Sequence, residues 1–229
     1  MYDYAQLCIT GDCIEIIAKY LDPIDIINVC NVYPKNWKRL NEILFSTIAI
    51  KIDSYFKSFF GPRYKDIKQR MILDEGVIFG SFILQIILNQ TPENIDLCIP
   101  FSQQERTDFY SNLETFFFVD IETFDITYRH NVHMNKFNKN VIVNIRNYKI
   151  PKFDVDENQT FQIIKVDFNK IQTINEFIEK YFNIDVYKNT FFYDQNGYHV
   201  TIKNPKQINQ NQKYLNNNKK KTNKMRKLK

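Results

Sequence analysis

The sequence predicts an α+β protein in three parts: a helical region over 1–60, a mixed α/β domain over 62–203 and a disordered basic tail over 204–229. Three observations carry that division. Apolar residues recur at helical spacing before residue 60. After the Gly61-Pro62 break, short runs are bounded by turn residues and one of them alternates polar with apolar, as a half-buried strand does. From Lys203 onward there are ten Lys or Arg, no Asp or Glu and almost no apolar content, which leaves little to offset the entropy of ordering.

The first helix comes from Ile14, Ile17, Ala18 and Leu21, spaced i, i+3, i+4, i+7 on one stripe. Asp22-Pro23 restarts a helix, with Asp22 as N-cap acceptor and Pro23 at the first helical position. Ile24, Ile27, Val29 and Cys30 give it a buried side. Trp37, the only tryptophan, precedes a third helix over Asn41–Phe59. Arg63–Asp74 is helical. Gly76–Gly80 reads as a strand and Ser81–Leu88 as a buried helix directly after it. Asn94–Pro100 alternates and is a strand. Gln103–Phe117 is a helix candidate; Phe124–Tyr128, Val141–Ile145 and Phe161–Asp167 are strand candidates. Thr173–Tyr181 is helical, with Ile174, Phe177 and Ile178 on one face. Ile184–Tyr193 and Tyr198–Ile202 flank Asp194-Gln195-Asn196-Gly197, where Asn-Gly signals a hairpin turn.

Composition sets the remaining bounds. A chain of 229 residues, 44% hydrophobic and 15% aromatic, can bury a sizeable core, and five glycines exclude a collagen-like fibre. The longest apolar stretch, Gly76–Leu88, is too short for a bilayer, so no membrane association is expected. The N-terminal residues carry no secretory pattern, which implies an intracellular location. The net charge of +5 sits in the tail; the rest holds 21 basic and 26 acidic residues, which argues against a phosphate-tracking surface on the body. Cys8, Cys13, Cys30 and Cys98 make no C-x-x-C pair and are expected as reduced, buried thiols. Abundant Asn and Lys with scarce Ala and Gly indicate an AT-rich genome.

Residues 12–45 resemble an F-box. Asp12-Cys13-Ile14-Glu15-Ile16-Ile17 opens a helix that ends on Tyr20-Leu21. Asp22 precedes the next helix, and Val29-Cys30 and then Trp37 follow. The usual opening Leu-Pro is replaced by Gly11-Asp12. The resemblance implies docking on the adaptor subunit of a cullin-type ubiquitin ligase, with Ile14, Ile17, Leu21, Ile24 and Trp37 as partner-binding residues.

Gly80-Ser81 before a helix, followed by Asn94-Ile95-Asp96, is similar to the opening of the nucleotidyltransferase fold. That family places Gly-Ser after a first strand, D-x-D on the next strand and a third carboxylate on a later one. Two carboxylates at i, i+2 on a strand point the same way and can hold divalent metal. Here Asn94 takes the first acid position, and Gln162 in Phe161-Gln162-Ile163-Ile164 takes the third, leaving Asp96. Two amides in place of two carboxylates remove two negative charges from a site built for two Mg²⁺ ions. Losing that stabilisation costs several kcal/mol, or roughly a thousandfold in rate. The resemblance therefore implies a vestigial nucleotide site of Gly80, Ser81, Asn94, Asp96 and Gln162, with no catalytic residue, metal site or cofactor. Asp154-Val155-Asp156 is an alternative acid pair. The two resemblances together are similar to uncharacterised proteins of large (giant) DNA viruses, which implies host cytoplasm or nucleus.

His130 and His133 lie in a loop segment with no acid or cysteine placed to complete a zinc site. Phe116-Phe117-Phe118 lacks the interleaved Lys or Arg of an RNA-stacking surface. The tail residues Lys219, Lys220, Lys221, Lys224, Arg226 and Lys227 fit an import signal, a weak non-specific nucleic-acid arm or a solubilising end. The expected function is a non-enzymatic adaptor linking a target to a host ubiquitin ligase. The first alternative is a Mg²⁺-dependent nucleotidyltransferase using Asp96. The second is a nucleic-acid-associated or virion protein acting through the tail.

Overall fold

The computed structural model describes residues 11–101, 122–123, 142–150, 159–167, 169, 171–182, 185–205 and 208. In chain order these form α1 (Gly11–Ala18), α2 (Pro23–Val32), α3 (Trp37–Phe60), α4 (Tyr64–Leu73), β1 (Val77–Phe79), α5 (Ser81–Ile87) and β2 (Asn94–Pro100). There follow β3 (Glu122–Thr123), β4 (Ile142–Ile150), β5 (Gln159–Val166), α6 (Ile174–Tyr181), β6 (Thr190–Asp194) and β7 (Gly197–Thr201). The α+β class is as expected. The expected elements at 103–117 and 124–128, together with Phe116–Phe118, His130, His133, Asp154, Asp156, Cys8 and Lys219 through Lys227, lie outside the described residues.

Leu40, Leu44, Ile48, Ile52, Phe56 and Phe60 are all buried on α3. A spacing of four residues on a helix of 3.6 per turn advances the stripe by about 40° at each step. The buried face therefore winds around α3, and one helix packs on several neighbours. Arg39 reaches Glu15 of α1 at 3.2 Å, and Lys51 reaches Asp22 before α2 at 2.6 Å. Asp22 is the N-cap residue of α2, but its side chain makes no cap bond and pairs with Lys51 instead. At the other end Phe56 stacks on Phe82 of α5 at 5.5 Å and meets Phe191 of β6 edge-on at 6.0 Å. Phe60 packs on Phe161 of β5 at 5.5 Å.

The strands form one sheet in the order β3-β4-β5-β2-β1-β6-β7. β2 and β5 are parallel, and every other neighbouring pair is antiparallel. One face carries Ile78, Ile95, Leu97, Phe161, Ile163, Phe191 and Tyr193, which share a buried cluster with α1–α5. The alternating residues Val77, Phe79, Cys98, Ile164 and Val166 face Ile174, Phe177 and Ile178 of α6. Thr173 caps α6 by accepting from the Glu176 N–H at 3.1 Å, while Glu176 accepts from the Gln172 N–H at 2.8 Å. No helix among the described residues is long and apolar enough to cross a membrane.

Two expectations are corrected here. The strand expected over Ile184–Tyr193 is a 3-10 turn at Asp185–Lys188 followed by β6, because only Thr190–Phe192 pair with β1. The hairpin turn spans Asp194–Gly197 as expected, with Gln195-Asn196 at its centre. The Asp194 carboxylate accepts from the Asn196 N–H at 2.7 Å, and Gly197 opens β7 with φ 140, a conformation that favours glycine. The tail boundary at 204 is too early, because Ile208 is 0% exposed within the main cluster. A single apolar side chain in polar sequence gives no periodicity to detect.

Phe56→Ala is expected to lower the unfolding free energy by about 3–5 kcal/mol, and Ile208→Ala by about 2–5 kcal/mol, in urea titrations. An unchanged midpoint for Ile208→Ala would restore the boundary at 204.

Candidate functional site

The register brings the five proposed nucleotide-site residues to one end of the sheet. Phe79, the last residue of β1, pairs with Asp96 of β2, so Gly80-Ser81 leave the strand beside the start of β2 at Asn94. Across the parallel pair, Asp96 stands opposite Gln162, and Gln162 stands opposite Asn147 of β4. The amide at 162 is thus directly beside the acid at 96, on the sheet face that also holds Phe79 and Cys98. Gln162 is buried, Asp96 is half-buried and Asn94 is exposed at the strand end.

Gly80 has φ 90, which an L side chain rarely adopts. Its N–H donates to the Asn189 carbonyl at 3.2 Å, and the Asn189 side-chain oxygen accepts from the Lys203 N–H at 2.9 Å. Buried Asn189 and Thr190 therefore flank the Gly80 turn. The sequence could not place them there, because nothing local says that β6 returns beside β1.

Burial in the sheet pushes the Asp96 carboxyl up to about 7. Its carboxylate makes no hydrogen bond or ion pair among the described residues. Neither does any group of three or more His, Cys, Asp or Glu converge among them. One carboxylate that resists ionisation, flanked by two amides, is a poor donor set for two divalent cations, which need charged oxygens. Those residues do not fit the metal pair the resemblance implies.

The five expected partner-binding residues do not share one exposed surface. Ile14 is 4% exposed and, with Ala18, packs inward. Leu21, Ile24 and Trp37 are half-buried against the same cluster. Ile17 alone is exposed, at 48%, and its exposed apolar neighbours are Ile16 on α1 and Tyr20 in the turn after it. The stripe from Ile14 to Leu21 is thus largely core, and the outward apolar residues lie beside it. Cys30 and Cys98 are buried free thiols, with Cys30 raised to about 11 by desolvation, but Cys13 is exposed, contrary to expectation.

A further cluster joins α3, α4 and β6. The Asp53 carboxylate accepts from Tyr193 Oη at 2.8 Å and from Tyr64 Oη, and it pairs with Lys57 at 2.7 Å and Lys68 at 3.7 Å. Lys68 also lies over the Tyr193 ring at 4.4 Å. Burial alone would raise the Asp53 carboxyl, but these hydrogen bonds and the Lys68 charge outweigh it and hold it below the usual carboxylate range. The same burial and the Asp53 partnership raise Tyr64 to about 12.

Comparison of the chain with protein-family models, with curated proteins and with solved structures finds no match.

The two carboxylates give opposite pH dependences. Asp96 binds its proton more tightly folded than unfolded, so its contribution is full below the unfolded value near 4 and is lost as pH rises through about 7. Asp53 has a depressed folded value, so its contribution is present above the unfolded value and is lost as pH falls below it. Chemical denaturation between about pH 4 and 7 should show stability falling with pH. Asp96→Asn should flatten that fall, whereas Tyr193→Phe should lower stability by about 1–3 kcal/mol without flattening it. A wild-type profile identical to that of Asp96→Asn would refute the assignment.

Proposed function

We propose that the chain is a non-enzymatic binding protein that engages a partner through the outward side of α1, as an F-box-like adaptor to a cullin-type ubiquitin ligase. The observation that carries the reading is the apolar group of Ile16 and Ile17 on α1 and Tyr20 in the turn after it, which are 60%, 48% and 87% exposed, while Ile14 and Ala18 anchor the other side of the helix. Large apolar side chains grouped at the end of one helix and left in water favour a protein contact over a solvated face. The experiment is titration of the purified ligase adaptor subunit with the full chain. Binding in the micromolar range is expected, with Ile17→Asp weakening it about tenfold or more and leaving the thermal midpoint unchanged, since a hot-spot residue contributes on the order of 2 kcal/mol. Absence of binding at tens of micromolar refutes the reading.

The second reading, a metal-dependent nucleotidyltransferase, is favoured by the register that sets Gly80-Ser81, Asn94, Asp96 and Gln162 at one sheet end. Against it stands the donor set of one carboxylate and two amides. No transfer from any nucleoside triphosphate with Mg²⁺ or Mn²⁺ is expected. Turnover that disappears in Asp96→Ala would establish the enzyme and overturn the binding-protein reading. The nucleic-acid reading rests on tail lysines outside the described residues.

A further inference from the structure

A cleft of about 390 Å³ opens between the end of α4, the start of α6 and the β6–β7 hairpin. Ile72, Val77, Ile174 and Phe192 supply apolar walls, and Glu75 and Asp194 supply two carboxylates. Among the described residues that line it there is no lysine, arginine or histidine. The Glu75 carboxylate makes no hydrogen bond or ion pair among the described residues. Asp194 accepts from the Asn196 N–H and meets His199 Nε2 at 2.7 Å, while the His199 ring stacks on Phe192 at 4.7 Å. Those contacts hold Asp194 and the Phe192 ring in place at the cleft.

This combination selects by charge and by shape. An anion would face the Glu75 and Asp194 carboxylates, of which only Asp194 has a basic neighbour, His199, among the described residues. A neutral apolar molecule would fill the walls but strip water from the Glu75 carboxylate without pairing it, at a cost. A cation on an apolar stem satisfies both, with its charge between the carboxylates and its stem on Ile174, Val77 and the Phe192 face. The volume lies in the range of small-ligand sites. We propose that the cleft between α4, α6 and the β6–β7 hairpin binds an organic cation, an ammonium or guanidinium group on a short apolar stem. The group comes from a free amine or from a basic side chain of a peptide. This inference is independent of the α1 surface and of the sheet end at Asp96.

Calorimetric titration of the full chain with agmatine, and separately with a short unstructured peptide bearing one arginine, tests it. Saturable agmatine binding is expected, weakened about tenfold or more by Glu75→Gln, because a hydrogen bond to a charged group is lost. Glu75 makes no internal contact, so its thermal midpoint should not move. Asp194→Asn, which keeps an oxygen for the Asn196 N–H, should weaken binding similarly. Agmatine binding alone identifies a free amine as the source, and equal binding of the peptide identifies a basic side chain. No saturable binding of either probe at millimolar concentration, or affinity unchanged in both variants, overturns the proposal.

Discussion

Phe56 is the contact on which the arrangement turns. It is buried between α5 and β6, and it sits near the end of the stripe that begins at Leu40. A stripe repeating every four residues turns by about 200° over its five steps, so the two ends of α3 face different directions. The first half meets the α1–α2 region through Arg39–Glu15 and Lys51–Asp22, and the second half meets the sheet through Phe56 and Phe60. Heptad spacing would have kept one straight seam and packed α3 against one partner. The aromatic rings at the sheet end suit this role because edge-to-face contacts hold a helix at a defined angle.

Among the described residues α6 packs on the opposite sheet face, and the rows it meets hold polar groups as well as apolar ones. Cys98, Ile164 and Val166 lie in the cluster with Phe177 and Ile178, while Asp96 and Gln162 occupy the next position along the same rows. A carboxylate there is desolvated without a cation to stabilise it. Asp53 shows the alternative arrangement, since two tyrosine hydroxyls and two lysines surround it and keep it charged. The molecule therefore holds one carboxylate set up for stability and one whose ionisation works against the fold. Strain of the latter kind is characteristic of binding sites and of their remnants.

Local pattern made most elements legible. The break at Gly61-Pro62, the strand Asn94–Pro100 and the capped helix after Thr173 each depend on a few neighbouring residues, and each appears where the spacing placed it. What escaped detection was long-range. Alternation assigns Asp96 to one face of β2 but cannot say that β5 lies alongside with Gln162 opposite. Asp53, Tyr64 and Tyr193 are separated by up to 140 positions, so their cluster has no sequence signature. The helical stripe of α1 was read correctly as apolar but assigned to the wrong side, because periodicity finds a face without saying whether the chain itself covers it.

That last ambiguity bears on how the helical region can be used. Ile14, Ala18, Leu40, Leu44, Ile48, Ile52, Phe56 and Phe60 belong to the same buried cluster as Ile78, Phe82, Ile95, Phe161 and Phe191. A fragment ending at residue 60 would carry the first group into water, including two phenylalanines whose ring partners belong to α5, β5 and β6. Such a fragment would be sticky for reasons unrelated to recognition, and capture by it would not identify a partner. The exposed group of Ile16, Ile17 and Tyr20 is available in the intact chain, where the inward stripe is already occupied. A contact that requires Ile17 in the intact chain therefore reports recognition, whereas one that requires Leu21 reports the state of the core.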